Sequence, residues 1–407
     1  MNEEIKKIVD YAINECKPDK LLSQYLSRQT FHSGKLIVIS IGKASWLMGK
    51  ICQNFLSKKI DQGIVLTKYR HSQGNIPDFT IFEAGHPLTD NNSLLTTQAI
   101  IDLIKPLKEC DDIIFLISGG GSSLMELPLI PLEQLQLINN KLLHSSASIQ
   151  EINLIRKKLS QVKGGKLASL TKANIYNYIL SDVIGNDLST IASGPTVESK
   201  DNIPLATEIN RKYRLNIPQN LLLSPFPRLN NVRSFLIGSN ILLADSAHRI
   251  CQKLGYQTTV VSTTVNGDIN NFAREIIALA NFNQHPTSDL AFIFSGELTL
   301  TVRTNGLGGR CQHLVALCLK RFSTLYNTTL IACGSDGTDG PTDADGGYCD
   351  QNIAQQALRY NLDEYINNCD SYNLLKKLNA LIFTGPTNTN VNDLIILLIK
   401  KDTKSSI

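Results

Sequence analysis

The chain has 407 residues, of which 42% are hydrophobic and 19% are charged, and this composition is typical of globular proteins rather than of disordered ones. At roughly 150 residues per domain, the length favours two domains, each with a core large enough to need no disulfide or structural metal. Forty Lys and Arg residues against 36 Asp and Glu residues give a net charge of +4, which is too small over this length to indicate a nucleic-acid partner.

Cysteine usage and apolar run length indicate the compartment. The nine cysteines include no C-x-x-C pair, which argues against a disulfide framework and a cysteine zinc site and favours a reducing compartment. The N-terminus has no apolar stretch of the signal-peptide type, and the longest apolar runs, such as 394–399, fall far short of the ~20 residues of a membrane span. We therefore expect a soluble cytoplasmic protein with no membrane partner.

The first half of the chain alternates short apolar runs with amphipathic stretches. Asp90 can cap one of the helices, and another helix is expected over residues 151–167, ending at Gly164-Gly165. Short buried runs that alternate with helices predict βαβ units and a parallel sheet. The predicted strands of this half are residues 36–41, 64–66, 79–82, 113–117 and 178–180.

A domain boundary is expected in residues 200–232, which are richer in Pro and Asn and have weak periodicity. The predicted domains are therefore residues 1–230 and 231–407. In the second half, only Gly296 and Glu297 separate two apolar runs, 290–295 and 298–303, and this spacing favours an antiparallel hairpin in a mixed sheet. One long bent strand is the alternative. The other predicted strands are residues 234–238, 258–262, 329–333 and 394–399.

Glycine-rich loops follow several of these runs, and ligands of open α/β sheets bind beyond the carboxyl ends of the strands. Lys43 follows the first run, where its ammonium can face a phosphate, although Ile37 stands where a Walker A loop requires Gly. Three glycines in residues 118–123 allow a ligand to approach the backbone, whose N–H groups can form an anion nest. Leu124 replaces the last glycine of a dinucleotide fingerprint. The alternative for Lys43 is a solvated lysine in a turn, and the alternative for residues 118–123 is a tight turn without a ligand.

Charged residues accompany the next two glycine loops. A basic stretch runs from Arg156 to Lys166, and its last two lysines, Lys163 and Lys166, are the ones we expect to contact phosphate; a solvated helix face is the alternative. Asp182 follows a strand, which suits Mg²⁺ binding or acceptance of a hydroxyl proton. Asp187 is a second candidate, with a local helix cap as its alternative role.

The second half carries three further polar loops. Glu297 and Arg310 form the first constellation, because an Arg at the end of a glycine-rich loop suits bidentate contact with a carboxylate or phosphate. Four carboxylates between Asp336 and Asp345 suggest a site for a hard cation or a substrate hydroxyl, although the spacing is not that of an EF-hand. An Asp- and Gly-rich surface loop is the alternative. The third loop, 384–390, ends at Asn390.

The order of these loops resembles that of the class-II glycerate kinases, whose C-terminal part is called the MOFRL domain. The resemblance covers about residues 36–399. It is carried by Gly42-Lys43-Ala44, Gly85-His86-Pro87, 116–122, 156–160, 163–168, 181–196, Gly308-Gly309-Arg310, 336–343 and 384–393.

The resemblance implies a two-domain α/β enzyme that phosphorylates D-glycerate, usually at the 2-hydroxyl, with ATP and Mg²⁺. It implies a Rossmann-like, three-layer N-terminal domain, a smaller α/β C-terminal domain with a mixed sheet, and an active site in the cleft between them. The characteristic Lys and Arg of the family fall on Lys43 and Arg310. The chain departs from the family at Cys311, His313 and Leu298, and these changes bear on substrate preference.

Our working hypothesis is a glycerate 2-kinase, monomeric or homodimeric, with no nucleic-acid partner. The alternatives are an NAD(P)H-dependent hydroxypyruvate reductase, which would need a nicotinamide site, and a non-catalytic sugar-acid binding protein, which Cys311 and His313 make plausible. The predicted catalytic residues are Lys43, Arg310 and Asp182. The predicted substrate- and nucleotide-binding residues are Gly119, Gly120, Gly121, Ser122, Lys163, Glu297, Asp336 and Asn390. The predicted Mg²⁺ ligands are Asp182, Asp187 and Asp336.

Overall fold

The computed structural model describes residues 2–302 and 304–402, the side chain of Lys58 excepted, and shows an α/β protein. The chain forms two units: the first unit is Pro18–Ile237, and the second unit comprises the residues before Pro18 together with those from Gly238 onward. The predicted division after residue 230 therefore differs from the observed one in two respects. The boundary lies later, and the N-terminal helix belongs with the C-terminal half.

The helices and strands of the two units follow one another along the chain. The helices are α1 (Glu3–Asn14), α2 (Pro18–Leu26), α3 (Ser45–Leu56), α4 (Asn91–Ile104), α5 (Gly121–Leu124), α6 (Leu132–Leu143), α7 (Ile149–Lys158), α8 (Ile203–Lys212), α9 (Gln219–Leu223), α10 (Asn240–Lys253), α11 (Ile269–Phe282), α12 (Arg310–Phe322), α13 (Gln351–Ala357), α14 (Leu362–Asn367) and α15 (Ser371–Lys377). The strands are β1 (Leu36–Ile41), β2 (Gln62–Lys68), β3 (Phe79–Ala84), β4 (Asp112–Ile117), β5 (Asn174–Leu180), β6 (Val232–Gly238), β7 (Gln257–Asp268), β8 (Leu290–Thr299), β9 (Thr328–Gly334), β10 (Gly346–Cys349), β11 (Leu381–Ile382) and β12 (Asp393–Ile399). No helix in the described ranges is long and apolar enough to cross a bilayer.

The sheet of the first unit has the Rossmann arrangement. Its described strands lie in the order β3-β2-β1-β4-β5-β6, and the pairs from β3 to β5 are parallel. Every residue of β1 and β4 is buried, as expected for central strands covered on both faces, and this explains their continuous apolar sequence. The strand order reverses between β1 and β4, which is where open α/β sheets bind their ligands.

The second unit has the predicted mixed sheet, with its described strands in the order β11-β10-β9-β12-β8-β7. The predicted hairpin is wrong, because β8 runs unbroken through Gly296, as in the single-strand alternative. Strand β8 is antiparallel to β12 and parallel to β7. Gly296 has φ 154°, and a Cβ there would lie 2.1 Å from the carbonyl oxygen of Val265. The glycine therefore allows a close passage between strands rather than a turn.

Two helix predictions had different outcomes. Asp90 caps α4 with a capping box, as predicted. Helix α7 ends at Lys158, six residues before the predicted stop at Gly164, because the following backbone pairs with another segment. The amide of Leu129 donates to the carbonyl of Leu159, and the amide of Gln161 donates to that of Leu127 (both 2.8 Å).

Residues 200–232, which we expected to link the domains, are packed into the first unit. Ala206 and Ile209 of α8 and Leu222 of α9 are buried in one cluster with Ile152 and Ile155 of α7. Weak periodicity therefore reflected short helices rather than a linker.

The N-terminal helix is tied to the second unit through Glu4. Its carboxylate accepts hydrogen bonds from the Tyr256 hydroxyl (2.9 Å) and the Lys400 ammonium (2.8 Å). A segment at the start of the chain thereby joins residues more than 250 positions away, which explains why the observed boundary encloses it with the C-terminal half.

Candidate active site

Lys43 and the glycine loop meet at the point where the strand order of the first unit reverses. The Lys43 amide donates to the Gly119 carbonyl (2.8 Å), and the Ala44 amide donates to Ser118 Oγ (3.1 Å). Gly42 has φ 118°, and a Cβ there would lie 2.3 Å from Ser118 Oγ. The loops after β1 and β4 are therefore locked together, with the half-buried Lys43 at their junction.

Each of the three consecutive glycines makes a close approach to a neighbouring residue. A Cβ at Gly119 would lie 1.9 Å from the Asp182 carboxylate, and one at Gly121 would lie 2.6 Å from Ala192 Cβ. Gly120 has φ 88°, in the left-handed region that favours glycine. Asp182 follows β5, so the ends of β1, β4 and β5 bring Lys43, the glycine loop and Asp182 together.

Ser122 follows the three glycines, and its hydroxyl is hydrogen-bonded to that of Ser193 (2.9 Å). Asp187 is exposed, and its carboxylate accepts the Ser189 amide (2.9 Å) within a turn that precedes a short 3-10 helix, Ile191–Ser193, whose N-cap is Thr190.

Two histidines beside Lys43 were not among the predicted site residues. Burial, together with the positive charges of Lys43 and Lys68, lowers the pKa of His86 to about 4. The pKa of His71 is also lowered, mainly by burial, and its ring is hydrogen-bonded to the Lys43 backbone. Both imidazoles are therefore neutral at pH 7, and the positive charge at this junction comes from lysine.

A cavity of about 310 Å³ adjoins the glycine loop within the first unit. Lys163, which we expected to contact phosphate, lines this cavity with its ammonium paired to the Glu126 carboxylate. The two side chains are only 1% and 2% exposed. Lys166, the other lysine expected to contact phosphate, donates its ammonium to the carbonyls of Lys157 (2.9 Å) and Ser160 (2.6 Å) at the end of α7.

Arg310 begins α12 in the second unit and is held by two carboxylates. Its Nε and Nη2 donate to the two oxygens of Asp393 (2.5 and 2.9 Å), and its Nη1 donates to Glu297 (2.8 Å). Asp393, the first residue of β12, is buried, and this burial raises its pKa against the opposing effect of Arg310. The Arg310 side chain is 34% exposed. The orientation of its guanidinium is therefore fixed by a residue 83 positions away in the chain.

The carboxylates of the acidic loop after β9 each accept hydrogen bonds from different residues. Buried Asp339 accepts the amides of Cys311 (3.2 Å) and Gln312 (2.8 Å), and burial raises its pKa to about 7. Asp345 accepts the Thr384 hydroxyl, and exposed Asp336 accepts the amide of Thr338 in its own loop (3.2 Å). These contacts are typical of the alternative, an Asp- and Gly-rich surface loop, and Asp336 as a cation ligand stays a prediction.

No group of three or more His, Cys, Asp or Glu side chains able to hold a metal occurs among the residues that the structure describes. The remaining predicted residue, half-buried Asn390, accepts the Asn392 amide (3.4 Å) just before β12. The three departures from the resemblance, Cys311, His313 and Leu298, are all buried in the second unit, so none of these positions forms an exposed binding surface.

This chain matches two known protein families. Residues 4–223 match the family described as "Domain of unknown function (DUF4147)", and residues 290–393 match the MOFRL family. The D-glycerate 2-kinase of Thermotoga maritima is 40% identical to this chain, covering 98% of this chain and 99% of its own length. The glycerate 2-kinase of Pyrococcus horikoshii is 34% identical, covering 94% of this chain and 90% of its own length.

A solved structure extends the similarity to the fold. The crystal structure of a glycerate kinase from Thermotoga maritima matches this chain with a TM-score of 0.92 at 40% identity, covering 97% of this chain and 98% of that one. These matches confirm the resemblance that the loop motifs indicated, and the chain belongs to the class-II glycerate kinase family, whose C-terminal part is the MOFRL domain.

Proposed function

We propose that this protein is an ATP-dependent D-glycerate 2-kinase, which transfers the γ-phosphoryl group of ATP to the 2-hydroxyl of D-glycerate and yields 2-phosphoglycerate. Membership of the family carries this proposal. The junction of Lys43, Gly119–Gly121 and Asp182 supports it. An enzyme that binds ATP with Mg²⁺ uses a cation and backbone N–H groups for the phosphates and a carboxylate for the metal, all in one place.

Phosphoryl transfer depends on charge neutralisation and alignment more than on covalent chemistry. The Lys43 ammonium binds phosphate oxygens of ATP, and the backbone N–H groups of Gly119–Gly121 approach them without steric obstruction from side chains. The Ser122 hydroxyl offers one further donor. The interlocked loops after β1 and β4 hold these donors in place before the nucleotide arrives.

Mg²⁺ fits Asp182 in this proposal. The ion is usually bound by one or two carboxylates together with substrate phosphates and waters, rather than by a cage of protein ligands. The Asp182 carboxylate lies directly over Gly119, where bound phosphates would complete the coordination. Bound Mg²⁺ would neutralise charge on the transferred group.

Arg310 binds an anionic group of the reactants, the phosphoryl group or the glycerate carboxylate. Asp393 sits beneath the guanidinium as a positioning residue, and the exposed Glu297 fixes its outer edge. Removal of Asp393 would leave the charged guanidinium held by Glu297 alone.

Phosphorus NMR of the reaction with D-glycerate and ATP tests the activity directly. The proposal predicts ADP and 2-phosphoglycerate in equal amounts, and 3-phosphoglycerate as the first product would contradict the assigned hydroxyl. Absorbance of NADH with hydroxypyruvate, without coupling enzymes, tests the reductase alternative. The kinase predicts no oxidation, in keeping with the missing dinucleotide fingerprint.

We also propose that the enzyme acts in the cytoplasm, as a monomer or homodimer. Its nine cysteines are free thiols, which suits a reducing compartment.

A further inference from the structure

The cavity beside the glycine loop is built entirely by the first unit. One wall is the loop itself, through Gly120, Ser122 and Ser123, and the facing walls come from α6 and α7. Its volume of about 310 Å³ is near the lower end of the range for small-molecule sites. The phosphate-binding loop of the proposed function is thus also one wall of this cavity.

The charged end of this cavity contains an unused acceptor. Glu126 Oε2 accepts a hydrogen bond from the Lys163 ammonium, whereas its Oε1 is buried and has no hydrogen-bond partner among the described residues. A buried carboxylate oxygen without a partner is costly, and such atoms are uncommon in folded proteins. A ligand that donates a hydrogen bond into the cavity would satisfy it.

Arg156 lines the same end and is half-buried. Its Nε donates to the Asn139 side-chain oxygen (3.1 Å), and among the described residues Nε is its only nitrogen with a hydrogen-bond partner. That contact fixes the plane of the guanidinium, whose terminal nitrogens suit bidentate binding of a carboxylate.

We infer that this cavity binds the D-glycerate substrate, with its carboxylate on Arg156 and a hydroxyl donating to Glu126 Oε1. The inference rests on the proposed function and assigns its acceptor site. Two cations and one carboxylate leave a single net positive charge at the inner end, which matches a monoanionic hydroxy acid. Under this assignment, Arg310 binds the phosphoryl group rather than the glycerate carboxylate.

A nucleoside fits this cavity less well. Of the residues described along its walls, none is Phe, Tyr or Trp, and the only aromatic ring among them is the small imidazole of His86, so a base has little surface to stack on. Its large apolar side chains include Leu88 and Leu143, which are more than half exposed. The charged end of the cavity, formed by Glu126, Arg156 and Lys163, suits a small hydroxy acid better than a purine.

Binding of D-glycerate without nucleotide tests the site independently of catalysis. D-glycerate should raise the melting temperature of the full-length wild-type protein, since a ligand that binds only the folded state stabilises it. Arg156→Gln should need ~10–100-fold more D-glycerate for the same increase, the effect of one lost charge-assisted contact. Arg211→Gln, at an exposed position on α8, is the matched control and should behave as wild type. Equal stabilisation of Arg156→Gln and wild type would overturn the assignment.

Steady-state kinetics separate the acid from the nucleotide. Arg156→Gln should raise KM for D-glycerate by ~10–100-fold and change KM for ATP by less than about threefold. Arg156→Lys, which keeps the charge, should recover part of the loss. A rise in KM for ATP alone would make the cavity a nucleotide site and contradict the inference. Binding that depends on Arg156 without any phosphorylation would support the site and refute the kinase, so the two failures are distinguishable.

Discussion

The buried pair of Lys163 and Glu126 offers a test of the packing around the cavity. Lys163→Met keeps most of the side-chain volume but leaves the Glu126 carboxylate without its cation. Both side chains are almost fully buried, and removal of one partner from such a pair costs about 3–5 kcal/mol of unfolding free energy. The first unit spans about 220 residues, so the melting temperature should fall by roughly 6–11 °C.

The double variant with Glu126→Leu removes both charges and should recover most of this loss, because a buried ion pair replaced by apolar groups is often neutral. Lys212→Met is the control, since it breaks a solvent-screened pair with Glu151 at the surface and should leave the melting temperature almost unchanged. Calorimetry of the four proteins gives the comparison. An unchanged melting temperature for Lys163→Met, or a double variant as unstable as the single one, would refute the reasoning.

Two further predictions concern the second unit. Burial raises the pKa of Asp339 to about 7, so the folded state holds this proton more tightly than the unfolded state, and stability should fall as pH rises from about 4 to 7. Asp339→Asn should flatten that dependence in urea unfolding, and an unchanged slope would contradict the assignment. Asp393→Asn should lower kcat by ~10–100-fold because it loosens Arg310, whereas Asp363→Asn on the exposed face of α14 should not; equal kcat values would exclude a positioning role.

The parallel sheet could be predicted from sequence because its central strands leave a direct record. Strands β1 and β4 are buried along their whole length, so each appears as an unbroken apolar run. The glycines at 119–121 likewise reflect a structural constraint. A side chain at Gly119 would collide with Asp182, one at Gly121 would collide with Ala192, and Gly120 has a left-handed backbone conformation. Features that depend on local chain geometry could therefore be predicted from the sequence.

Features that depend on residues distant in the chain could not be predicted from the sequence. The apolar spacing of α7 continues through Leu159 and Val162, and only the pairing with residues 127–129 ends the helix at Lys158. Lys163 and Arg310 were singled out as cations, but nothing local indicates that Glu126 and Asp393 bind them. Their pairing arises when the fold brings separate segments together.

Lys43 is the residue on which the proposed chemistry depends most. Turnover of Lys43→Met, followed by phosphorus NMR alongside Lys50→Met from the same helix region, measures its contribution directly. We predict a fall in kcat of at least ~100-fold for Lys43→Met, the scale of removing one preorganised charge, with a melting temperature within a few degrees of wild type and normal turnover for Lys50→Met. Near-normal turnover in a folded Lys43→Met protein would place phosphoryl transfer away from the junction of β1 and β4.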